Sequence, residues 1–118
     1  MLKIRKEQQV ILEMAVYQRF LERMYNHCAE YWPRETEKLG KQGVIQLIEK
    51  CVERLKKYNV VEETNIAQYL DLVFVWDEDF DQSNRTPWAA EILNDDTLDS
   101  SIKIHQLCYR TELELAGR

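Results

Sequence analysis

"VVEETNIAQYLDLVFVW", residues 60 to 76, decides the fold. Its end, "LVFVW", has the β-branched and aromatic content of a strand, yet Ile66, Tyr69, Leu70, Val73 and Phe74 recur at threes and fours that run straight into it. That is the period of one helical face. A lone strand would also have no partner to bond with in this chain. Glu62, Glu63 and Thr64 suit a helix start, so the stretch predicts a helix and the chain reads as all-α.

Upstream, from Ile4 to Trp32, the apolar positions Val10, Met14, Tyr17, Leu21, Met24, Cys28 and Tyr31 step alternately by four and three, a sustained heptad seam. Ile11, Ala15, Val16 and Phe20 widen the stripe, which predicts a long helix packed into its own domain on more than one side. Pro33 ends it, because a residue before proline is pushed out of the helical region. A short helical turn over "RETEKLG" is expected next, with Gly40 and Gly43 bracketing a break and Gly43 opening the following helix. Val44, Ile45, Leu47, Ile48, Cys51, Val52, Leu55 and Tyr58 give that helix a broad apolar face, and Asn59 suits a left-handed cap.

Downstream, Thr86 as N-cap and Pro87 as first helical residue predict a short helix over "PWAAEIL". Asp99 or Ser100 caps the last helix, where Ile102, Leu107, Cys108, Leu113 and Leu115 supply apolar surface. The expected architecture is a single helical domain over residues 1–118: a bundle of four main helices plus one or two short ones, with a long N-terminal helix.

Composition agrees with this class. The 118 residues are 45% hydrophobic and 31% charged with three glycines and two prolines, a globular and not a low-complexity profile. "MLKIRKEQQV" lacks the apolar core of a secretory signal, and no apolar run reaches the roughly 20 residues a membrane span needs. Cys28, Cys51 and Cys108 are odd in number and widely spaced, which argues against a disulfide framework and for the cytoplasm. The net charge of −5 divides unevenly: residues 1–61 hold 12 Lys and Arg against 8 Asp and Glu, residues 62–118 hold 4 against 13. The acidic total disfavours nucleic acid, while the polarity could orient a protein partner.

Residues 75–93, "VWDEDFDQSNRTPWAAEIL", raise the question of chemistry. Asp77, Asp79 and Asp81 alternate like calcium-loop ligands, but counting Asp77 as position 1 puts Gln82 and Trp88 where that loop needs glycine at 6 and a bidentate glutamate at 12. The stretch reads instead as an acidic connection whose aspartates cap backbone amides. Phe80, Pro87 and Trp88 are its structural anchors, with Phe80 tucked inward. Zinc is disfavoured as well: His27 and Cys28 are helix neighbours pointing about 100° apart, and His105 with Cys108 makes only one close pair where structural sites bring two. A thiol beside a histidine without a glycine-rich oxyanion turn, and no phosphate loop, predict a protein that is not an enzyme and holds no metal or cofactor. Trp32 and Trp76, at helix ends beside charged stretches, and Asp77, Asp79 and Asp81 are the candidate partner-binding residues.

The pattern "YLDLVFVWDEDFD", then "PWAAEILNDD" and a helix beginning near "DSSIKIHQL", resembles a family of small bacterial proteins encoded beside type VI secretion spike, adaptor and toxic-effector genes. Tyr69, Leu70, Asp71, Phe74, Asp79, Phe80, Asp81, Pro87, Trp88, Ile92 and Leu93 carry the resemblance, which runs from "MLKIRKEQ" to about "QLCYR". It implies a cytoplasmic co-chaperone or adaptor that helps load an effector onto the spike. The alternative is an immunity protein neutralising a cognate toxin with its acidic half. The expected partner is thus a secretion effector, adaptor or toxin, and the seam of the first helix favours a homodimer or a helical partner.

Overall fold

The computed structural model describes residues 6–117, with side chains from residue 13 onward. Its elements are α1 (Lys6–Tyr31), α2 (Pro33–Lys56), α3 (Glu63–Val75), a 3-10 turn (Phe80–Gln82), α4 (Pro87–Leu93) and α5 (Ser100–Ala116). The domain is all-α, as its periodicities predict. Of the expected seam, Ile4 and the side chains of Val10 and Ile11 lie outside the described residues.

The helix boundaries follow from local chemistry. Trp32 leaves the helical region at φ −132° and ψ 57°, and Pro33 then serves as the first residue of α2, so one proline both ends α1 and starts its neighbour. The expected break between Gly40 and Gly43 narrows to Gly40 alone, which takes φ 73° and ψ 163° inside α2. Gly43 lies within the helix past the break; a Cβ there would stand 3.3 Å from Leu39 Cβ. Asn59 adopts the left-handed conformation at φ 62°, and Val60 N–H donates back to Leu55 O across it (3.0 Å). Asp99 Oδ1 accepts from Ile102 N–H (2.9 Å), capping α5. Thr86 occupies the N-cap position of α4 but caps nothing with its side chain. Buried beneath the loop, its Oγ1 donates to Phe80 O at 2.6 Å instead.

α1 and α2 form an antiparallel hairpin, with Lys41 just past the break bonded to Glu22 (3.1 Å) and poised over the Tyr25 ring. α3 packs against α1, α2 and α5 and is the centre of the fold. Asn65 bonds Ser101 (3.2 Å) near the two helix starts and Trp76 bonds Thr111 (3.1 Å) near the two ends, so α3 and α5 run in the same direction. α4 closes the 3-10 turn against α5. The core joins Val44, Ile48, Cys51 and Leu55 of α2 to Tyr69, Leu70, Phe80, Leu93, Ile104 and Leu107.

The α1 expectation needs correction at one end. Leu21, Met24 and Cys28 are buried, whereas Glu13 to Arg19 are all exposed, with Met14 61% and Val16 56% accessible. Among the described side chains the seam is buried only at Leu21, Met24 and Cys28, because toward Met14 the end of α2 and the start of α3 flank α1 as walls of an open groove and do not close over it. The result is a thin molecule of 57 × 38 × 19 Å with a radius of gyration of 16.1 Å, against about 13.5 Å for a close-packed chain of this length.

Candidate functional site

The loop after α3 answers the calcium question through its partners. Asp77 accepts from Arg85 and, at 2.8 Å, from the Asp79 backbone N–H in an Asx turn. Asp79 accepts from Arg54 Nη2 at 3.2 Å. Asp81 turns inward with Phe80: its carboxylate is completely buried, with Oδ1 accepting from Arg54 Nη1 (3.1 Å) and Oδ2 from the Tyr58 hydroxyl (3.0 Å). Arg54 Nη1 also donates to Glu78 O. Of the three carboxylates alternating in sequence, Asp77 therefore turns to Arg85 while Asp79 and Asp81 meet the same Arg54 guanidinium, which fastens the loop to α2. A surface role for Asp81 is corrected accordingly, since no docking protein can reach it. Among the described residues no group of three or more His, Cys, Asp and Glu converges to hold a metal ion.

Around this clamp the titrations shift together. Burial, then the bond to Asp81, pushes the Tyr58 phenol up to about 12. Burial, then the nearby Asp81 charge, pushes Tyr69 higher still. The Tyr69 hydroxyl is buried without a protein partner while its ring packs 5.1 Å from Phe80. Burial also raises the Cys28 and Cys51 thiols to about 12, with Asp71 contributing at Cys28, and raises Cys108. All three are thus protonated, weak nucleophiles near neutral pH.

Both candidate tryptophans are engaged within the chain. Trp32 Nε1 donates to Asp71 Oδ1 (2.9 Å) and its ring stacks on Phe74 at 5.5 Å. Trp76 donates to Thr111 and meets Trp88 edge-on at 6.1 Å. Asp71 Oδ1 also accepts from His27 Nε2 (2.7 Å), so one carboxylate ties the end of α1 and the following link to the middle of α3. His27 is committed to Asp71, and its neighbour Cys28 is buried in the core.

The surface opens where the tail of the core meets the uncovered half of α1. Val16, Tyr17, Phe20, Val52, Val61 and Ile66 line a groove of about 440 Å³ between α1, α2 and the start of α3. Its aromatic floor is the stacked pair Tyr17 and Phe20, centroids 6.0 Å apart, and Val61 is 67% exposed. Its rim carries both signs. Arg23 bonds Glu63 through two nitrogens (2.9 and 2.8 Å), a contact that holds the Glu63 carboxyl below the usual range, and Glu13 and Lys56 stand nearby. A second hollow of about 510 Å³ lies at the Gly40 break, between Leu39, Leu47 and Phe74. Sequence reasoning saw Val16 only as a widening of the buried stripe and gave Val61 no role. The signal for Val61 was an apolar residue outside either helix, directly before the acidic start of α3.

Comparison with known proteins finds no family model, no curated protein and no solved structure that matches the chain.

Proposed function

We propose that the protein is a non-enzymatic binding accessory that accepts an amphipathic helix of a secretion effector or its adaptor in the groove between α1, α2 and α3. The observation that carries this reading is that groove: contiguous apolar and aromatic side chains left uncovered, rimmed by charges of both signs. A helix laid into a groove is a recurrent recognition mode in which anchors at i, i+3, i+4 and i+7 fill the apolar floor. Exposed apolar surface rimmed by polar residues commonly marks such a site. The groups best suited to chemistry are meanwhile tied to neighbours, His27 to Asp71 and Asp81 to Arg54 and Tyr58.

The type VI secretion setting comes from the motif resemblance, and a cytoplasmic site of action from that resemblance together with the odd, widely spaced Cys28, Cys51 and Cys108. Among the described residues no helix is long and apolar enough to cross a membrane. The accessory role is favoured over toxin neutralisation because Asp77, Asp79 and Asp81 have basic partners within the chain, leaving less acidic surface to plug a toxin. Co-expression with a neighbouring effector and adaptor tests the reading. The wild type is expected to co-purify with one of them in defined stoichiometry without abolishing toxicity in a purified assay, and Tyr17→Glu is expected to lose the complex. Full neutralisation by the purified protein would instead establish the immunity role.

A further inference from the structure

The outer face of α5 carries a stripe that the bundle does not use. Ile104, Leu107 and Thr111 point into the core, and on the opposite side Ile102, Gln106, Tyr109 and Leu113 step by four, three and four, the spacing of a helix-pairing seam. All four are exposed, Ile102 at 43%, Tyr109 at 60% and Leu113 at 51%. Flanking the seam on one side are His105 and Glu112, both exposed. On the other, Arg110 is matched within the chain by Glu114 at 3.0 Å and lies over the Trp88 ring.

We propose that this face pairs with the same face of a second copy of the chain, α5 against α5 in antiparallel orientation about a two-fold axis. The register follows from self-complementarity. Placing Gln106 opposite Tyr109 of the second copy puts Ile102 opposite Leu113 at both ends, and lets the central amide and phenol bond each other. The same register brings His105 beside Glu112 of the second copy, twice over along one flank, so an imidazole N–H donates to a carboxylate in each of the two symmetry-related pairs. A parallel pairing would bring His105 toward Arg110 of the second copy and lose that match. Because a two-fold contact uses one patch on both subunits, it closes as a dimer and does not propagate.

The groove on α1 has no α5 residue in its lining, so the substitutions that test dimerisation and those that test effector binding are separate.

Sedimentation equilibrium of the full chain over micromolar concentrations tests the proposal. The wild type is expected at about twice its 14.2 kDa monomer mass. Leu113→Glu is expected to weaken the dimer at least tenfold with an unchanged circular dichroism spectrum, because that side chain is half exposed. Glu112→Lys is expected to weaken it as well, and adding His105→Glu to restore it. Mixed Gln106→Cys and Tyr109→Cys copies, in a Cys108→Ser background, are expected to cross-link faster than either alone. A wild type that stays monomeric, a dimer indifferent to Leu113→Glu, or fastest cross-linking between like positions would overturn the proposal.

Discussion

Arg54 and Asp81, separated by 27 positions in the chain, meet at 3.1 Å beneath the loop that follows α3, and the carboxylate of the pair is wholly buried. Removing one member of a buried pair leaves the other desolvated and unmatched, at a cost of about 3 to 5 kcal/mol. That is a large share of the roughly 5 to 15 kcal/mol that holds a small domain folded. Arg54→Met, which leaves the buried Asp81 carboxylate with only the Tyr58 hydroxyl, is expected to lose that much in urea unfolding. Asp79→Asn, at a carboxylate 67% exposed, is expected to change stability by less than about 0.5 kcal/mol.

Phe80 and Trp88 should behave as anchors of the same loop. Phe80 is fully buried against Tyr69, and Trp88 is buried against Trp76. Truncating either to alanine is expected to cost about 3 to 5 kcal/mol, read as a sharp drop in Tm. Small and equal effects at Phe80, Trp88 and Asp79 would show a loose loop.

Gly40 carries the α2 break at φ 73°, with open space around it. The expected cost of Gly40→Ala is therefore purely conformational, about 1 to 3 kcal/mol, measured by denaturant unfolding. Asn59→Gly, at φ 62°, removes a side chain from a conformation that glycine adopts freely and is expected to be neutral or stabilising.

Stability is expected to fall on the alkaline side. Cys28, Cys51 and Tyr58 titrate near 12 in the folded chain, above their ordinary values of 9.0 and 10.0. Between those limits the unfolded chain has lost protons that the folded chain still holds, so raising pH favours unfolding. Unfolding free energy measured from pH 8 upward should begin to decline near pH 9 and continue to about pH 12, with Tyr58→Phe flattening part of the slope. A flat profile over that window would contradict the burial of these groups.

Legibility in the sequence divides along physical lines. α3, the Asn59 cap and the start of α5, read at Asp99 or Ser100, were readable because each depends on neighbours within a turn or two. The bond between Asp81 and Arg54 was not, since Asp77, Asp79 and Asp81 look alike in sequence and only a tertiary partner separates the buried one from the others. The indole N–H groups of Trp32 and Trp76 find Asp71 and Thr111, 39 and 35 positions away, so their engagement was equally hidden. The heptad seam of α1 is uniform along its length, and what decides where it is covered is how closely α2 and α3 pack over it. The groove is built from three helices' edges, and no single stretch of sequence announces it.

The central claim is that the groove at Val16, Tyr17 and Val61 receives a protein partner. Its most direct test is quantitative affinity purification from the native host, comparing tagged wild type with Tyr17→Glu and Val61→Glu variants whose folding is verified by circular dichroism. The expected result is a secretion effector or adaptor near one-to-one stoichiometry on the wild type and reduced at least tenfold on both variants. Recovery of the same proteins in the same amounts on all three, or of none on the wild type, would contradict it.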